Sequence, residues 1–114
     1  FDEVHPDMAL AKEEIFGPVV SIVLVKDLDE GLKLIENSEY GNAACLYTTN
    51  GKTAREFKYR AVASMMGINL GIAAPMAFFP FGGAKGSFFG DIKGHGREVF
   101  QFFTDTKVVI QRWT

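Results

Sequence analysis

The sequence predicts an α/β fold: a partial open parallel sheet with crossover helices. Three observations lead there. Residues 19–25 are a β-branched apolar run, two helical segments each follow a capping residue, and short apolar runs alternate with those helices. Strand, helix, strand, helix, strand is the order of a parallel sheet whose connections cross over it.

Residues 1–18 read as irregular, with Pro6 and Pro18 as breakers. They end in Lys12-Glu13-Glu14-Ile15-Phe16-Gly17-Pro18, two adjacent carboxylates and an aromatic before a Gly-Pro turn. Gly17 offers backbone freedom and Pro18 fixes its own φ, so a rigid turn feeding a strand is expected. Taken alone, this segment is an ordinary surface turn with solvated carboxylates. At the end of a sheet, it is also where an α/β protein holds a ligand. Residues 19–25 lack alternation, as in a strand buried on both faces.

Asp27 then reads as an N-cap with Glu30 three residues later, and Leu28, Leu32 and Ile35 make one apolar helix face. Residues 43–48 form a short strand. Thr49-Asn50-Gly51 is a turn and cap, and residues 52–62 are a second helix with Ala54, Phe57, Ala61 and Val62 inward. Residues 65–70 are a third strand. Residues 71–96 then form a loop of a length that is uncommon in a compact domain and usually functional. Residues 96–103 have a helical pattern, and 104–113 close as a strand well placed to pair outside its own sheet.

The chain has 114 residues, 47% of them hydrophobic and 23% charged, which is the composition of one globular domain. A net charge of -2 argues against an electrostatic nucleic-acid or membrane partner. No apolar run is long enough for a membrane span, and residues 1–14 have no signal-peptide pattern. The start at Phe1, without methionine, reads as a beginning in mid-domain. Eight of the eleven Phe fall between Phe78 and Phe103, and eight of the twelve Gly between Gly67 and Gly96. A loop so rich in aromatics calls for another surface to cover it.

Cys45 is the single cysteine, which excludes an internal disulfide and fits a reducing compartment. Mid-strand between Ala44 and Leu46, with no adjacent base, it reads as a small buried structural residue rather than a nucleophile. Gly94-His95-Gly96-Arg97-Glu98-Val99 lacks the third glycine of a dinucleotide fingerprint and follows no buried strand. His5 and His95, far from each other and from Cys45, give no metal-ligand spacing. Phe100, Phe102 and Phe103 read as core. For Phe78, Phe79 and Phe81, among prolines and glycines, pocket wall and packing both stay open.

Glu13-Glu14-Ile15-Phe16-Gly17-Pro18-Val19, a two-helix α/β stretch, Pro80-Phe81-Gly82-Gly83-x-Lys85 and a terminal strand, in that order, resemble the C-terminal part of the NAD(P)-dependent aldehyde dehydrogenase superfamily. The resemblance spans essentially the whole chain. Residues 78–91, Phe-Phe-Pro-Phe-Gly-Gly-Ala-Lys-Gly-Ser-Phe-Phe-Gly-Asp, and the ending Lys107-Val108-Val109-Ile110-Gln111-Arg112-Trp113 look like its CoA-acylating methylmalonate-semialdehyde dehydrogenase branch.

The resemblance implies oxidation of methylmalonate or malonate semialdehyde with NAD. A cysteine forms a thiohemiacetal and then a thioester, and coenzyme A as co-substrate takes the acyl group. It implies that residues 1–103 are the C-terminal part of the catalytic domain and 104–114 an oligomerisation strand in a homo-oligomer. Glu14 matches the carboxylate that grips the nicotinamide-ribose hydroxyls, Phe16 the aromatic beside the nicotinamide, and Phe81 the aromatic at the mouth of the aldehyde pocket. Gly82 and Gly83 would allow a tight turn there. The family's catalytic cysteine, oxyanion-hole asparagine and cofactor-binding domain precede this segment, and Cys45 falls after the nucleophile's place. These residues alone are therefore expected to be inactive, with no catalytic residue, no metal, and the remainder of the enzyme as partner. The cytoplasm is the expected compartment, or the mitochondrial matrix in a eukaryote. The alternative is a non-catalytic interaction module that associates through the terminal strand and the Phe-rich loop.

Overall fold

Asp27 does what its position predicts. In the computed structural model, which describes all 114 residues, its side chain accepts from the Glu30 amide at 2.9 Å, while Glu30 Oε2 accepts from the Lys26 amide at 2.8 Å. The helix so opened, α2, is Leu28–Asn37; a four-residue turn of helix, α1 (Ala9–Lys12), precedes it. Strand β1 is Ala43–Leu46. The Asn50 side chain accepts from the Lys52 and Thr53 amides and caps α3, Gly51–Arg60. Strand β2 is Met65–Ile68, and a last short helix, α4, is Glu98–Phe102.

β1 and β2 pair in parallel, Ala43 opposite Met65 through Leu46 opposite Ile68, with α3 as the crossover. Beyond the strands, Asn69 adopts φ 57° and closes the ladder. Its amide donates to the Leu46 carbonyl, and its side chain bonds both the amide and the carbonyl of Thr48. The core is small: Leu32 of α2, Phe57 of α3 and, apart from them, Val4 are the buried apolar side chains.

Three expectations are corrected. Residues 19–25 are extended but form no sheet strand. They are bonded to the N-terminal residues, through Val4 N to Ile22 O at 3.0 Å, Ile22 N to Phe1 O at 2.9 Å and the Phe1 ammonium to Val20 O at 2.9 Å, and Ser21 Oγ donates to the Leu10 carbonyl at 3.2 Å. Val20, Ile22, Leu24 and Val25 are exposed rather than buried on both faces. The sheet therefore has two strands, not three. Residues 104–114 are exposed and make no backbone hydrogen bond within this chain, with Trp113 84% accessible; their expected pairing is with another chain's sheet. Phe100, Phe102 and Phe103 are exposed, not core.

The physical reason is common to all three. The chain exposes 9640 Å², whereas a folded monomer of 12.6 kDa exposes about 6,200 Å². Its radius of gyration is 18.9 Å, against about 13 Å for a compact chain of this length. Apolar strands and rings of this kind are buried by neighbours, and these 114 residues do not supply enough of them.

Candidate functional site

The Gly-Pro turn is built from two successive three-residue turns. Gly17 N donates to Ile15 O and Val19 N to Gly17 O, each at 2.8 Å. Gly17 is not at positive φ, and a Cβ there would meet nothing within 4 Å. The rigidity thus comes from these bonds and Pro18, not from glycine's conformational freedom. Immediately before the turn, α1 ends as the Glu13 amide donates to Ala9 O at 2.8 Å. This leaves Glu13 and Glu14 on the rim of a cleft of about 560 Å³, lined also by Lys12, Tyr40, Asn42, Gly86 and Ser87. Neither carboxylate takes part in the chain's ion pairs, which join Lys12 to Asp7, and Arg60 to Asp29 and Glu56.

The opposite wall comes from the long loop and is held by buried Gly41. Its amide donates to Ser87 Oγ at 3.1 Å, and its carbonyl accepts from Ser64 N at 2.9 Å and Ala84 N at 3.2 Å. Gly86 N donates to Glu39 O at 2.9 Å, and Tyr40 and Lys85 form an antiparallel bridge. Gly83 is buried, and a Cβ there would stand 2.6 Å from the Ser87 carbonyl oxygen. Close packing, not positive φ, is what requires glycine at 83. The Lys93 ammonium reaches the Gly83 carbonyl at 2.8 Å and lies 4.5 Å from the centre of the Phe88 ring.

Glu14 and the Pro80-Phe81-Gly82-Gly83-x-Lys85 loop are therefore brought to one cleft through Gly86 and Ser87. Phe16 and Phe81 do not line it. Phe16 is fully exposed. Phe81 is 41% exposed, its carbonyl accepts from Gly94 N, and its ring centre lies 5.4 Å from that of His95. Cys45 is exposed rather than buried. It lines an apolar hollow of about 360 Å³ with Leu32, Ile35, Leu46 and Phe57.

The sequence reading missed Asn42, Ser87 and the role of Lys85. The Lys85 Nζ donates to the carbonyls of Ile35 and Glu36 at 2.8 Å and of Ser38 at 2.9 Å, closing the end of α2. One signal was readable: the last turn of α2 has no basic residue of its own, so its carbonyls needed a cation from elsewhere. Nothing in the local sequence marks Asn42 or Ser87.

A model of the aldehyde dehydrogenase family matches residues 1–109. The malonate-semialdehyde dehydrogenase of Halalkalibacterium halodurans is 51% identical over 113 residues, which are 99% of this chain and 23% of that protein. Among solved structures, the methylmalonate-semialdehyde dehydrogenase of Oceanimonas doudoroffii superposes at a TM-score of 0.92 with 42% identity, over 99% of this chain and 23% of that one. A Sinorhizobium meliloti structure assigned to the same activity, in complex with NAD, superposes at 0.93 with 45% identity, over 100% and 23%. The chain thus spans 23% of the length of these relatives. The chain belongs to the aldehyde dehydrogenase family.

Proposed function

We propose that the chain forms the C-terminal quarter of an NAD-dependent, CoA-acylating dehydrogenase of malonate or methylmalonate semialdehyde. Similarity to enzymes of both names supports the substrate class. The observation that carries the reading is the cleft in which Glu14, free of any ion pair, faces Gly86 and Ser87 of the second loop.

The residues present fit a nicotinamide ribose. An ionised carboxylate accepts from two vicinal hydroxyls at once, a strong charge-assisted arrangement, and Asn42 and Tyr40 add polar groups to the same wall. NAD, when bound, supplies the hydride acceptor. The work of this chain is to bind and orient. Glu14 would hold the ribose, Phe16 would pack beside the nicotinamide and Phe81 would stand at the aldehyde's entrance. Holding reacting groups in register is itself a large contribution to rate.

The nucleophilic cysteine and its oxyanion hole lie in polypeptide outside these residues. Cys45, in its apolar hollow, has no role in the chemistry. Residues 1–103 belong to the catalytic domain. Residues 104–114 extend a neighbouring subunit's sheet in a homo-oligomer, a role supported by their exposed, unpaired backbone.

The test is Glu14→Gln in the complete enzyme. Hydride transfer, read as the single-turnover rate of NADH formation, falls roughly tenfold to a hundredfold, because a misplaced ring costs rate. The dissociation constant for NAD changes much less. Unchanged kcat with a raised KM for NAD overturns the assignment.

A further inference from the structure

Lys85 lies about fifty residues from the helix it caps, and its backbone is held in the left-handed region at φ 54°. A non-glycine residue stays there only where its surroundings impose it. Those surroundings are specific. The amides on either side of it are bonded to the segment after α2, Ala84 N to Gly41 O and Gly86 N to Glu39 O. The side chain meanwhile turns back to place one ammonium against three carbonyls at 2.8–2.9 Å. Three donors on one charged nitrogen are thereby all used, at the negative end of a helix with no cation in its last turn.

We infer that Lys85 is a positioning residue for the cofactor cleft: by locking residues 84–87 onto the end of α2, it sets the Gly86–Ser87 wall at its distance from Glu14. It touches neither cofactor nor aldehyde and acts through Ser87 and Gly86. The inference rests on the reading of the cleft as the cofactor's seat.

The test compares Lys85→Met and Lys85→Arg with Asn50→Ala in the complete enzyme, and reads both amide hydrogen exchange and NAD affinity. Asn50 caps α3 and is not among the residues lining the cleft, so its variant reports a loss of stability unconnected with the cofactor. In Lys85→Met, the Ala84 and Gly86 amides exchange faster and the dissociation constant for NAD rises roughly threefold to tenfold, the scale of one net hydrogen bond. Lys85→Arg restores most of both, and Asn50→Ala alters neither. Unchanged NAD affinity in Lys85→Met, or an equal loss in Asn50→Ala, overturns the inference. If Glu14→Gln behaves as proposed while Lys85→Met does not, the inference alone fails. If Glu14→Gln leaves both hydride transfer and NAD affinity intact, the cleft is not the seat, and both fall.

Discussion

At the scale of single residues, the two aromatics carried over from the family resemblance stand in different surroundings. Phe16 meets no cover at all, and under the proposed function the nicotinamide would pack against its open face. Phe81 is supported from within, by the Gly94 amide on its carbonyl and by the His95 ring against its own. Gly96, at φ +68°, lets this return segment approach closely: a Cβ there would stand 2.9 Å from the Phe78 carbonyl oxygen. If Phe81 stands at the aldehyde's entrance as proposed, its ring helps to discriminate between substrates that differ by a methyl group. Phe81→Ala in the complete enzyme is expected to change the ratio of kcat/KM for methylmalonate over malonate semialdehyde by roughly tenfold, the worth of about one methylene in an apolar pocket. An unchanged ratio removes Phe81 from the pocket. Glu14 was legible as a candidate because its motif is contiguous. Ser87, its counterpart across the cleft, was not, because about seventy residues and a folded loop separate the two in sequence.

At the scale of elements, what was legible is what local bonds decide. Asp27 and Asn50 are short polar side chains at the start of apolar periodic runs, and each caps its helix as expected. Parallel pairing of β1 with β2 follows from the crossover helix between them. The exposure of residues 19–25 was not legible, since a strand's faces are covered by elements the run itself does not name. The loop at 80–90 shows the same limit. Its glycines read as turn residues, yet Gly83 is required by a backbone contact, whereas Gly82 presses on a side chain. A Cβ at 82 would stand 2.5 Å from Lys93 Cδ, the flexible part of a long side chain, while at 83 it would meet the Ser87 backbone. Gly83→Ala should therefore destabilise the complete enzyme by about 1–3 kcal/mol, and Gly82→Ala by distinctly less. Equal thermal midpoints for the two would show that the loop backbone yields freely.

At the scale of the whole molecule, the excess of exposed surface and the elongated outline, 74 × 33 × 23 Å, belong with a chain that spans 23% of its relatives' length. The hydrophobic run at 19–25, the rings of Phe100, Phe102 and Phe103 and the tail to Trp113 are faces awaiting neighbours. No helix is long and apolar enough to cross a membrane. Under the proposed function these neighbours are the rest of the subunit and, for residues 104–114, a second subunit, whose pairing should slow amide exchange along the tail. Two segments about seventy residues apart, around Glu14 and around Ser87, line one cleft, which under the proposed function seats the cofactor. Hydrogen exchange of the complete enzyme with and without NAD reads this directly. Residues 12–18 and 84–88 should gain protection together when NAD binds. Bound NAD that leaves both segments unprotected, or protects only one of them, would contradict it.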